Sequence, residues 1–276
     1  MNEHIFEYES TGRFNQSQFI VNVQNRFSRN STIGAYYVLG RANSDTDGAT
    51  TFPANSFNLS GEYGRSSLDV RHRFVLFGNF RAPWGICVSP LVLATSGRPF
   101  NIIIGRDLNG DTVFTDRPAF ARDLTKPGVV ITPFGAFDTN PTVDETVIPH
   151  NLGNGPGSFN VNLRLSKTFG FGNETASNSV PAQTHRNAGR EPGRVIGMGG
   201  GRGGGGGQEP SKRYSLTFSL NFQNLLNHTN EANPIGNLSS PLFGISTSSG
   251  GNFGGFGGLN SNAYNRRIEA QIRFNF

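Results

Sequence analysis

Apolar and polar positions alternate one by one through several stretches of the chain, most cleanly in residues 266–276. Ile268, Ala270, Ile272, Phe274 and Phe276 fall to one side, and Arg267, Glu269, Gln271, Arg273 and Asn275 to the other. A period of two belongs to an extended strand, whose successive side chains leave opposite faces. The pattern recurs where Tyr214, Leu216, Phe218, Leu220 and Phe222 alternate with Ser215, Thr217, Ser219, Asn221 and Gln223. It recurs in Phe159, Val161, Leu163 and Leu165 against Asn160, Asn162, Arg164 and Ser166, with Phe169 and Phe171 continuing the apolar row. Phe19, Val21, Val23 and Phe27 alternate with Gln18, Asn22, Gln24 and Arg26, interrupted at Ile20 and Asn25. Less regular strands are expected at residues 4–9, 32–41, 68–81 and 86–97, for a total of about eight. The last of these is apolar on both faces, so it should pack against something on the inner side.

No window carries a helical period of 3.6, and no apolar run reaches the ~18 residues of a membrane helix. A transmembrane β-strand needs only about 9–11 alternating residues, which is the scale seen here. In a water-soluble sheet the apolar face would close on a core. In an outer-membrane barrel it meets lipid, and the polar face lines the lumen. The connections favour the barrel. Residues 28–31 and 82–85 are tight turns, whereas 42–67 and 100–157 are long loops. Short turns on one rim and long loops on the other is the outer-membrane pattern, and Trp84 at a turn suits a membrane interface or a simple turn anchor. The expected fold is therefore all-β, an antiparallel transmembrane β-barrel portion occupying residues 1–276. Residues 172–211 break the rule, because strand parity puts them on the short-turn rim. Their glycine run at 199–207, interrupted by Arg202, cannot bury enough apolar surface to fold, so a disordered Gly-rich insertion is expected.

Composition agrees. Only 35% of the residues are hydrophobic, yet 24 are Phe, against one Trp and six Tyr. A soluble chain this polar has little use for so many Phe; strands that are apolar on one face do. Cys87 is alone, which excludes an intrachain disulfide and a thiolate metal cluster. A net charge of +5 raises the question of nucleic acid. The basic residues are scattered, however, and no aromatics interleave the glycine run, so no nucleic-acid partner is expected. The first residues, Met1-Asn2-Glu3-His4, are polar and lead into acidic sequence rather than a secretory leader. Either the sequence is the C-terminal part of a longer chain, or the envelope reading is wrong.

Asp107, Asn109 and Asp111 place oxygen-bearing side chains at alternate positions, and Asp116 follows. Hard cations take several oxygens at once, so calcium is a candidate ligand there; no other cofactor is expected. The match to a calcium loop is incomplete: Thr112 stands where Gly is required, and no Glu closes the loop. An Asx-rich surface turn is the preferred reading. His4, His72, His150, His185 and His228 are dispersed without metal or triad spacing, and neither a nucleophile elbow nor a phosphate loop is present. No enzymatic activity is expected.

Several segments resemble one family. Leu68-Asp69-Val70-Arg71-His72-Arg73-Phe74 is similar to the D-x-R-H-R-F strand of TonB-dependent outer-membrane receptors of the Oar-like, carboxypeptidase-regulatory-domain type. Thr95-Ser96-Gly97-Arg98-Pro99-Phe100, Asp107-Leu108-Asn109-Gly110-Asp111 and Asp116-Arg117-Pro118 resemble the strand and loop that follow there. Asn221-Phe222-Gln223-Asn224-Leu225-Leu226-Asn227-His228-Thr229-Asn230 resembles the penultimate strand, and the ending resembles the last. The resemblance implies that Ile268, Ile272, Phe274 and Phe276 form the assembly signal read by the barrel assembly machinery. It implies a barrel of about 22 strands with a plugged lumen, of which about eight are represented here. It further implies energised nutrient uptake, outer-membrane lipid as surroundings, and TonB contact only through an N-terminal part not in this sequence. A fragment of this kind would not transport alone. A self-contained eight-stranded barrel with a structural or adhesive role, and a soluble β-rich binding module, are the alternatives.

Overall fold

A computed structural model of the chain describes residues 7, 9–28, 31–142, 145–174, 212–250 and 265–276. In chain order the strands are β1 (Phe14–Ser28), β2 (Ser31–Ser44), β3 (Gly64–Arg65), β4 (His72–Arg81), β5 (Ile86–Thr95), β6 (Pro99–Phe100), β7 (Ala119–Phe120), β8 (Val129–Thr132), β9 (Gly135–Asp138), β10 (Gly153–Asn154), β11 (Ser158–Glu174), β12 (Lys212–Gln223) and β13 (Arg267–Asn275). The segments that alternate in sequence are the long ones. They hydrogen-bond in the order β1-β2-β4-β5-β11-β12-β13, every neighbour antiparallel, and β3 adds to the end of β2.

Register carries each face across the whole sheet, because directly opposed residues project to the same side. Leu220 lies between Leu165 and Ala270, and Phe218 lies opposite Ile272. From Leu165 the apolar row passes to Val88 and Phe80; from Val161 it passes through Val92, Leu76 and Ala35 to Val23. The opposite face carries Asn221, Arg164 and Ser89 in one row and Ser219, Ser166, Cys87 and Arg81 in the next. A slip of one residue would exchange the two faces entirely, so this pattern alone specifies the register.

Besides Ile20 and Val38 on β1 and β2, the polar face carries an apolar patch across β4 and β5. Val75 and Leu93 are buried there, with Tyr36, Phe77 and Leu91 packed against them. This is what the two-sided apolar character of β5 anticipates. Gly34 makes room for it: a Cβ at that position would stand 2.5 Å from the Phe77 ring.

One expectation changes, and two fall largely outside the described residues. The eighth member of the sheet among the described residues is β3; the strand expected at residues 4–9 lies mostly outside the described residues. Residues 68–71 are not strand: Asp69 N–H donates to the Ser66 carbonyl at 2.9 Å, making a turn that delays β4 to His72. The glycine-rich stretch lies almost wholly outside the described residues, between the paired ends Glu174 and Lys212. Among the described residues β1 and β13 each have one neighbour, so the sheet is open at both.

The largest departure concerns the connections. Residues 45–71, 96–157 and 224–266 all leave from one rim, opposite the tight turns. Residues 100–157, read as a plain loop, contain a three-stranded sheet β7-β9-β8 and a β6–β10 pair. They build a core of Phe100, Ile102, Phe137 and Ile148, joined by Phe134, Leu152, Leu238 and Phe243. The third connection is stitched in by main-chain bonds, Ile103 N–H to the Gly236 carbonyl and Leu238 N–H to the Ile103 carbonyl, both 2.9 Å. Where this cap meets the sheet the backbones nearly touch, since a Cβ on Gly97 would lie 1.8 Å from the Gly155 oxygen. Strands of two to four residues are too short to show a period of two, which is why the alternation test misses them.

Candidate functional site

Two surfaces stand out: the apolar face of the sheet and the cap above its long-loop rim. On the first, the side chains expected to meet lipid are uncovered. Phe218, Leu220, Ile268, Ile272 and Phe274 are all exposed, Ile272 at 67% and the terminal Phe276 at 94%. An apolar row this continuous and uncovered marks membrane contact.

Its lower edge is aromatic. Phe171, Tyr214 and Phe274 stack with centroids 5.9–6.1 Å apart, and Phe276 stacks on Phe274 at 6.1 Å. Phe169 meets Phe218 edge-to-face at 6.0 Å, and the Lys167 ammonium lies 4.8 Å from the Phe169 centroid. Lys167 sits on the apolar face by register, opposite Phe218 and Ile86. Its long stem can carry the charge toward a headgroup while its methylenes stay in lipid. Trp84 is on the same rim in a left-handed conformation, φ 60°, and 83% exposed. A ring held out from its own turn suits the interface better than a turn anchor. Of the proposed assembly residues, Ile268, Ile272 and Phe274 thus project from the last strand and Phe276 ends the aromatic stack.

The cap is polar and tightly bonded. Asp69, from the D-x-R-H-R-F segment, is 1% exposed. It accepts from Ala42 N–H at 2.9 Å and from Arg65 Nε at 3.1 Å, pinning the first connection to the end of β2. The next residues of that segment face apart: His72 accepts or donates with the Tyr37 hydroxyl at 2.8 Å on the apolar side, and Arg73 turns to the polar side. Asp47 joins two connections. It accepts from Ser67 N–H and from Asn151 Nδ2, and its Oδ2 lies 3.3 Å from His150 Nε2. Glu62 and Arg117 join the same two connections through a buried pair at 2.6 Å. Lys126 bonds Asp138 and lies 3.5 Å from Glu145. Apart from Arg65 and Asp69, which are four residues apart, these partners are distant in sequence, so only the assembled structure reveals them.

Asp107, Asn109, Asp111 and Asp116 do come together, and their oxygens are taken by N–H donors. Asp107 accepts from Gly110 and Thr112, and Asn109 accepts from Asp111. Asp111 accepts from Val113 and, across the cap, from Ser56. Asp116 accepts from Leu108 N–H and Asn109 Nδ2, both at 2.7 Å. These are Asx turns that also fasten residues 53–56 to the loop. Among the described residues no three His, Cys, Asp or Glu side chains gather as metal ligands.

The carboxyls respond oppositely to their places. Burial would raise Asp47, but the bonds from His150, Ser67 and Asn151 more than offset it and hold the carboxyl well below its usual value of 3.8. Burial raises Asp116; the Leu108 amide opposes this and the neighbouring Asp111 and Asp107 charges reinforce it. The sign for Asp47 follows. A depressed native pKa gives stability that is present above the ordinary value of 3.8 and drains as pH falls below it, toward the depressed native value. Asp116 binds its proton more tightly when folded, so it favours the fold as pH falls. The Asp47 shift is the larger of the two. We expect the melting temperature of the cap to stay level from pH 7 to about 5 and to drop in stronger acid, with the drop reduced in Asp47→Asn. A decline already between pH 7 and 5 would contradict the assignment.

A protein-family profile described as "Outer membrane beta barrel domain" matches residues 3–180, more than half of the 276-residue chain. No curated protein and no solved structure matches. The profile covers β1 to β11, whose register carries the two faces, and it decides against the soluble binding module. The chain belongs to the outer membrane beta barrel domain family, and its place is the bacterial outer membrane.

Proposed function

We propose that the chain is the C-terminal barrel portion of a TonB-dependent receptor of the Oar-like, carboxypeptidase-regulatory-domain type. Its role is energised uptake, or surface capture, of a nutrient too large for porins, without catalysis. Lipid surrounds the sheet, the barrel assembly machinery inserts it, and TonB acts through the receptor's N-terminal part. The observation that carries this reading is the D-x-R-H-R-F segment. Asp69 fastens the cap to the sheet, and the strand that follows sends His72 to one face and Arg73 to the other. Seven long strands are also about a third of the 22 that such receptors close. An unclosed edge is not tolerated in lipid, and the two edges open among the described residues support a barrel with further strands.

Refolding of the purified chain in detergent tests it. A fragment should aggregate or stay protease-sensitive. A compact, heat-modifiable, protease-resistant monomer would overturn the receptor reading and leave a self-contained structural or adhesive barrel. The assembly role of the terminus has its own test. Phe276→Ala forfeits about 1.5–3 kcal/mol of apolar burial in lipid. It should lower the amount of assembled protein in outer-membrane fractions; unchanged assembly would remove Phe276 from that role.

A further inference from the structure

Charge is divided unevenly between the two parts of the molecule. Carboxylates concentrate in the cap, at Asp47, Glu62, Asp69, Asp111, Asp116 and Asp138. Guanidiniums concentrate on the polar face of the sheet. Register places Arg26 beside Thr32, Arg73 beside Val38 and Thr95, Arg81 beside Cys87, Arg164 beside Ser89 and Asn221, and Arg273 beside Thr217. Each of these neighbours is on the face opposite the lipid row. Short of the bulge beyond Phe171, the one acid on that face of the described strands is Glu269, and it pairs with Arg267 at 2.7 Å. The other five arginines have no carboxylate partner among the described residues; Arg164 reaches only the Ser219 hydroxyl, at 3.2 Å.

We propose that this face is an anion-binding wall, and that the solute it admits or holds carries phosphate or carboxylate groups. The inference names the cargo chemistry of the receptor reading and rests on it only in that the polar face lines a lumen. Arginine is always charged and presents its donors as a planar fork that matches both anions. Rows of such residues are the device by which pores favour anions and phosphates. In a water-filled space walled by a low-dielectric sheet, their summed field raises the local anion concentration. The neighbouring Ser, Thr and Asn side chains add neutral hydrogen-bond partners without competing charge. A wall serving a neutral solute would not gather five unpaired guanidiniums.

The test uses the whole assembled polypeptide that carries these residues, verified as heat-modifiable on a gel, with pyrophosphate and citrate as probes and sucrose as the neutral control. Calorimetry should show binding of at least one anion, weakening with added salt, and none of sucrose. The triple variant R73Q/R164Q/R273Q should bind about tenfold more weakly or worse, since hydrogen bonds to charged groups are lost. Glu269→Gln should bind more tightly, a change of opposite sign that a general loss of structure would not produce. Preference for pyrophosphate would assign phosphate, and for citrate carboxylate. Absent anion heat in an assembled preparation, or equal binding by the triple variant, would overturn the proposal. The receptor reading fails separately, through the refolding result for the isolated chain, and the arginine variants remain measurable in whichever barrel assembles.

Discussion

Leu220→Arg should abolish membrane assembly. Leu220 sits in the middle of β12, between Leu165 and Ala270, on the face that carries Phe218 and Phe222. It is exposed in the chain, so lipid is the only apolar phase available to it. A guanidinium at the bilayer midplane of a barrel costs about 2–4 kcal/mol, and less toward either interface. The same charge at Asn221, one residue away, enters the polar face opposite Glu269 and should be tolerated. The pair of variants therefore measures the parity of the strand. Outer-membrane fractionation with protease protection reads it: Asn221→Arg assembled, Leu220→Arg not. Normal assembly of Leu220→Arg would mean that the apolar row faces something other than lipid.

That parity is the part of the molecule most legible in the sequence. β11, β12 and β13 follow from alternation alone, because each has one face in lipid and one in water, and the contrast survives at single-residue resolution. β4 and β5 are harder to read. Val75 and Leu93 fill the polar side with apolar atoms, so the period fades where the two strands pack on each other and on Tyr36. The cap is almost invisible to the same reading. Its strands are two to four residues long, and its core draws Phe100 and Ile102 from one connection and Leu238 and Phe243 from another more than a hundred residues away. The Asp107 to Asp116 cluster shows the limit of spacing as evidence. Oxygens at alternate positions suit a cation and suit Asx turns equally, and only the positions of the Gly110, Thr112 and Val113 amides show which bonds those oxygens make. Asp47 and Glu62 carried no mark at all, since their partners His150, Asn151 and Arg117 are distant in sequence.

The Glu62–Arg117 pair should be the point at which the cap fails first. Arg117 Nη2 donates to Glu62 Oε1 at 2.6 Å and to the Gly61 carbonyl at 3.0 Å, and the two side chains are 2% and 5% exposed. Arg117 Nε and Nη1 are buried and find no hydrogen-bond partner. The charge is thus compensated by Glu62 alone, while two donors are already a cost. Glu62 also accepts from Ala54 N–H at 3.2 Å, so it ties residues 53–62 together as well as to residue 117. Removing one member of a buried pair costs about 3–5 kcal/mol, because the remaining charge is stranded out of water. Glu62→Gln should therefore open residues 45–71 and 96–157 to hydrogen exchange and proteolysis while β11 to β13 stay protected. Replacing both, as Glu62→Leu with Arg117→Met, removes the stranded charge and the two unbonded donors together, and should restore most of the protection. If Glu62→Gln left exchange in the cap unchanged, the pair would not be holding the two connections together. If it unfolded the sheet as well, the cap and the membrane strands would form one cooperative unit instead of two.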